Sequence, residues 1–186
     1  MAERVCPWWV GYLIACPWRR FLQDPGTMLE PYVREGMTVL EPGPGMGFFT
    51  LELARRVGGS GRVIAVEIQP RMLDRLKRRA EKAGLLGRLD ARLARAESMN
   101  LEDLVGQVDF ALAFAVVHEM PNTESFFLQT AHCLKAGGSL LLAEPPGHVK
   151  AEQFERELAA AARAGLNLVD RPKVPRSRAA WLKKGQ

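Results

Sequence analysis

The residues with the clearest chemical potential are Glu41-Pro42-Gly43-Pro44-Gly45-Met46-Gly47, which follow the apolar pair Val39-Leu40. Three glycines in this short loop remove the side chains that would keep a ligand away from the backbone. Glu67 closes the run Val63-Ile64-Ala65-Val66 and stands 20 residues beyond Gly47. A carboxylate at that spacing can accept hydrogen bonds from both hydroxyls of a ribose. The spacing also separates two classes of ligand. A dinucleotide loop reads GxGxxG and needs a small residue where the bulky Phe48 stands, whereas this loop reads GxGxG. With no pyrophosphate to hold, such a loop can cradle a short aliphatic chain instead.

A second group of candidates follows the apolar run that ends near Phe114. His118 titrates near neutrality and suits a general base, while Glu119 beside it could bind an acceptor or orient the imidazole. Local packing of a histidine at a strand end and a solvated loop carboxylate are the plainer alternatives. His148, after Glu144-Pro145-Pro146-Gly147, could line an acceptor pocket or face solvent at the start of a helix.

These residues need elements to hold them. Short β-rich runs at 37–41, 62–67, 88–93, 108–115, 139–144, 166–170 and 179–183 read as seven strands. Helical patterns at 48–57, 70–83, 124–134 and 150–164, with a short one near 101–105, fall between them. Gly58, Gly84, Gly137-Gly138 and Gly165 stand where those helices should stop. Strands alternating with helices predict an α/β, doubly wound, mostly parallel sheet covered on both faces. In such a sheet ligands sit beyond the carboxyl ends of the strands, which is where both groups of candidates lie.

Composition narrows the function further. The 186 residues suit a single catalytic domain, expected over residues 37–186 behind a helical cap or lid at 1–36 that carries Trp8, Trp9 and Trp18. No apolar run reaches the roughly 20 residues of a membrane span, and the N-terminus lacks the flanks of a secretory signal, so a cytoplasmic protein is expected. Three cysteines without CxxC spacing disfavour a disulfide framework or a thiolate zinc site, and no metal is expected. The net charge of +5 rests on Arg-rich helix and tail segments and is read as a solvated face.

The run Val39 to Gly47 resembles motif I of class I S-adenosylmethionine-dependent methyltransferases, and Val63 to Glu67 resembles the strand that follows it. Further segments match in order: Ala96-Glu97-Ser98-Met99 the adenine-side loop, Val108-Asp109-Phe110 the fourth strand, and Leu134 to Leu142 the turn into the fifth. The likeness covers about residues 30 to 185. Within the family it is greatest to the small-molecule branch that includes quinone-biosynthesis and arsenite methyltransferases, on the segment Val116-Val117-His118-Glu119-Met120-Pro121.

The resemblance implies a Rossmann-like fold and S-adenosylmethionine as cofactor. It implies that Gly43, Gly45 and Gly47 contact the methionine portion, that Glu41 reaches its amino group and that Glu67 holds the ribose. Ala96, Glu97 and Phe114 complete the implied cofactor set, although Arg95 stands where the family often has an Asp, and an Arg cannot accept a hydrogen bond from adenine. Methyl transfer from a sulfonium is an in-line displacement, so alignment and exclusion of water do most of the work and no enzyme nucleophile is required.

Two other functions are weighed. The pI near 9.4 suggests a nucleic-acid methyltransferase, but the Asn/Asp-Pro-Pro-aromatic motif is absent after the fourth strand, where Val117-His118-Glu119 stands. A non-catalytic S-adenosylmethionine-binding protein would keep motif I and lose the chemistry. Cys6 and Cys16, each before a proline, could present thiolates to a soft acceptor such as trivalent arsenic, or be inert turn residues.

Overall fold

The computed structural model describes residues 23–95 and 98–186. The expected cap lies largely outside them, as do Cys6, Cys16, Trp8, Trp9, Trp18, Ala96 and Glu97. The chain divides into two compact units at residues 95 and 96. The seven strands among the described residues are those of a seven-stranded sheet.

The first unit holds α1 (Pro25–Leu29), β1 (Thr38–Pro42), α2 (Thr50–Arg56), β2 (Arg62–Glu67), α3 (Pro70–Lys82) and β3 (Leu89–Leu93). The strands pair in parallel in the order β3-β2-β1, with Val39 opposite Val63 and Val63 opposite Leu89. All of β2 beyond Arg62 is buried, as expected of a strand inside a parallel sheet. Pro70 opens α3, where its missing N–H costs nothing. Met72, Leu73, Leu76 and Ala80 form the buried stripe of α3, and Leu73 and Leu76 pack on Ala65 of β2 with Leu89 and Ala91 of β3 alongside. The basic residues of this helix are thereby left on its other faces.

The second unit holds β4 (Val108–Phe114), α4 (Thr123–Cys133), β5 (Leu134–Glu144), α5 (Ala151–Arg163), β6 (Leu166–Asp170) and β7 (Arg178–Lys184). Their order is β4-β5-β7-β6, with β4 and β5 parallel and β7 antiparallel to both its neighbours. A short 3-10 turn, Val117–Glu119, follows β4.

One expectation is corrected here. Gly137-Gly138 does not stop a helix: α4 ends at Cys133, and the glycines lie inside β5, where the pairing with β4 slips between Val108 and Phe110. A Cβ on Gly138 would sit 2.9 Å from the Lys135 carbonyl and 3.1 Å from that of Val108, so the backbones are too close there for a side chain.

Candidate functional site

Three strands carry a buried carboxylate at or next to their last residue: Glu41 in β1, Glu67 in β2 and Glu144 in β5, exposed by 4%, 5% and 0%. Each must be answered by a hydrogen bond or a charge, or else stay protonated.

In the first unit the loop after β1 is shaped by left-handed backbone at Gly43, Gly45 and Gly47 (φ 67°, 54° and 84°). Gly43 N–H donates to the Val66 carbonyl at 2.9 Å, and Gly45 N–H donates to Glu67 Oε2 at 3.1 Å. The other Glu67 oxygen accepts from Gln69 N–H at 2.9 Å. From the α3 side, the Arg79 guanidinium donates to the Met46 carbonyl. A Cβ on Gly47 would fall 2.4 Å from Leu76 Cδ1, whereas one on Gly45 would meet only Met72 Sδ at 3.9 Å. Both positions hold the left-handed backbone that favours glycine, and a side chain at Gly47 would in addition crowd Leu76.

Glu41 Oε2 is buried without a hydrogen-bond partner. Burial pushes the Glu41 carboxyl up to about 8 and the Glu67 charge adds to this; the nearby Thr50 hydroxyl tempers it from outside good hydrogen-bond geometry. Burial also raises Glu67, against the pull of the Gln69, Gly45 and Ile68 N–H groups. An orphaned acid beside a loop with room at Gly45 fits a cationic amine on a short chain, and Glu67 keeps lone pairs for hydroxyls. These residues suit the methionine and ribose ends of S-adenosylmethionine. The structure gathers Glu41, Gly43, Gly45, Gly47 and Glu67 around the ends of β1 and β2, while Arg95 is exposed.

In the second unit, Phe114 ends β4, half-buried. Ala115 then takes a left-handed φ of 54°, unusual for a residue with a Cβ and frequent near functional turns. The turn sends Val116 N–H and Val117 N–H to Glu144 Oε1 at 3.2 and 2.7 Å. His118 Nδ1 meets Glu144 Oε2 at 2.5 Å. The hydrogen bond to Glu144 raises the His118 pKa above 6.5, with Glu119 and Glu157 adding to it and burial opposing it. Glu119 is half-buried within the turn, and the His148 ring lies 5.2 Å from that of His118.

Glu157 of α5 is also buried, and Gln153 donates to its Oε1 at 3.4 Å while its Oε2 has no partner. Burial first, then Glu144, pushes its carboxyl up to about 7. Glu144, Glu157, Thr50 and Arg79 were not singled out from the sequence. Glu157 had a signal: it sits three residues after Phe154, one before Leu158 and four before Ala161, within the apolar stripe of α5.

Comparison with known proteins bears on the family and the fold. A family model described as a methyltransferase domain matches residues 33–177. The ubiquinone/menaquinone biosynthesis C-methyltransferase UbiE of Enterobacter sp. (strain 638) is 29% identical over 127 residues, 68% of this chain and 48% of that protein. The chain spans about half the length of such curated relatives. A SAM-dependent methyltransferase of Aquifex aeolicus superposes with a TM-score of 0.86 at 23% identity, covering 96% of this chain and 99% of that one. A SAM-dependent O-methyltransferase of Thermotoga maritima gives 0.64 at 20% identity, covering 100% and 68%. The chain belongs to the methyltransferase-domain family and has the Rossmann-like fold of class I S-adenosylmethionine-dependent methyltransferases.

Proposed function

We propose that this protein transfers a methyl group from S-adenosylmethionine to a small-molecule acceptor in the cytoplasm, with His118 as the base where the acceptor must lose a proton. The observation that carries the reading is the buried Glu41 Oε2, which has no hydrogen-bond partner, together with the glycine loop that follows it, where a Cβ at Gly45 would meet nothing nearer than Met72 Sδ at 3.9 Å. When bound, the cofactor supplies a methyl group on a positively charged sulfur, an electrophile open to in-line attack. Glu41 would hold the ammonium, Glu67 the ribose hydroxyls, and the Gly43 to Gly47 backbone the chain between them.

His118 would take the acceptor proton on Nε2 as the acceptor's electron pair forms the new bond to the methyl carbon and the carbon–sulfur bond breaks, its electron pair staying on sulfur in a neutral thioether leaving group. Glu144 has both oxygens engaged, so the imidazole rather than this carboxylate would receive it. Similarity to C-methyltransferases of quinone biosynthesis favours acceptors with an acidic proton on or beside an electron-rich ring. No described helix is long and apolar enough to cross a membrane.

The test has two stages. Calorimetry with S-adenosylmethionine should give binding in the micromolar range typical of cofactor and substrate sites, and methyl-labelled cofactor should then mark one compound of a phenol and quinol panel. His118→Asn should lower turnover on that compound by about 10²-fold with cofactor affinity unchanged. Absence of cofactor binding would end the enzyme reading, and a loss below threefold in the variant would end the base assignment.

A further inference from the structure

Glu144 and His118 are 26 residues apart in sequence and meet at 2.5 Å. The carboxylate is wholly buried and the imidazole retains 14% of its exposure. We propose that Glu144 is a positioning residue: it holds His118 in the tautomer with the proton on Nδ1, leaving the lone pair on Nε2 for the acceptor. The inference rests on reading His118 as the base.

An ionised carboxylate can only accept hydrogen bonds. The Val116 and Val117 N–H groups both converge on Oε1, which fixes the carboxylate plane and leaves Oε2 to the ring. With Oε2 as acceptor, Nδ1 must donate, and a neutral imidazole that donates from Nδ1 has its lone pair on Nε2. The backbone accommodates this arrangement at a cost. Ala115 adopts φ 54°, and the next three residues are the three that reach Glu144. A carboxylate that served only to cap the turn would need the two N–H groups and no imidazole.

The interaction also has an electrostatic consequence. Glu144 is the largest influence raising the His118 pKa, ahead of the smaller contributions of Glu119 and Glu157. Carboxylate–imidazole pairing both orients a general base and stabilises its protonated form. In Glu144→Gln the amide oxygen can keep the Val116 and Val117 N–H bonds, while the amide NH₂ would face Nδ1. That group donates where the carboxylate accepted, so Nδ1 would become the acceptor and the proton would move to Nε2. The fold would survive and the base would be blocked.

The experiment is nitrogen-resolved NMR of the full chain with labelled histidine, read across pH without any acceptor. The wild type should show His118 protonated on Nδ1 when neutral, with a pKa above 6.5. Glu144→Gln should show the proton on Nε2 and a pKa lower than that of the wild type, since the charge-assisted hydrogen bond is lost. Glu144→Asp, which restores an acceptor-only group, should restore the Nδ1 proton. A wild-type His118 protonated on Nε2, or a tautomer and pKa unmoved in Glu144→Gln, would overturn the proposal. The wild-type spectrum decides even where a variant fails to fold. A switched tautomer with undiminished methyl transfer would uphold the positioning and remove His118 as the base, so the two readings fail separately.

Discussion

One oxygen of Glu67 accepts the Gly45 N–H at 3.1 Å while the other accepts the Gln69 N–H at 2.9 Å. The carboxylate that ends β2 therefore also fixes the loop that follows β1, and removing it disturbs two parts of the cradle together. Glu67→Ala should weaken S-adenosylmethionine binding at least tenfold, since a charge-assisted hydrogen bond contributes about 1.5–3 kcal/mol. Calorimetry on a variant with unchanged circular dichroism checks this. An unaltered dissociation constant would place the ribose elsewhere.

Gly45 and Gly47 share left-handed backbone but differ in what surrounds them. Gly47→Ala would bring its methyl group to 2.4 Å from Cδ1 of the fully buried Leu76, which would have to shift, whereas the nearest atom to a methyl group at Gly45 would be Met72 Sδ at 3.9 Å. We expect the larger loss of melting temperature in Gly47→Ala and the cleaner loss of cofactor affinity in Gly45→Ala, where the added carbon occupies the ligand's volume. Full affinity in Gly45→Ala would show that the cofactor backbone does not approach there.

Glu41 couples binding to protonation. Its carboxyl is pushed up to about 8 by burial, so it is mostly neutral at pH 7, and an ammonium beside it would favour the ionised form. Binding should therefore release about one proton at pH 7, and less as the pH rises through 8. Calorimetry in buffers of different ionisation enthalpy measures that proton directly. Glu41→Gln should release none beyond what the ligand itself contributes, and identical proton release in both proteins would assign it to another group.

Much of this was legible in the residues. The expected limits of β2 and β6, Arg62 to Glu67 and Leu166 to Asp170, coincide with the observed ones, because short runs bounded by turn residues are self-delimiting. Motif I and Glu67 could be read because their chemistry is local and their spacing is set by one strand–helix–strand unit. The start of β5 could not. Gly137-Gly138 reads as a turn, and only the pairing with β4 shows it to be an irregularity within a strand. Glu144 was likewise hidden, since its partners lie 26 to 28 residues away and no periodicity connects them. The left-handed Ala115 leaves no trace in residue type.

Glu157 yields the last prediction. It occupies an apolar stripe with one oxygen lacking any partner, and its carboxyl is pushed up to about 7 from an ordinary 4.5, chiefly by burial. In the unfolded chain it ionises near the ordinary value, so between the two pH values the folded state holds a proton that the unfolded state has released. Stability from this group is therefore fully present below pH 4.5 and is lost as pH rises toward 7, above which the native state must bury a charge. Glu157→Gln keeps the shape and stays neutral throughout. Its melting temperature relative to wild type should climb between pH 4.5 and 7 and level off above that range. A difference that stays constant from pH 4 to 9 would show that Glu157 titrates in the native protein near its ordinary value.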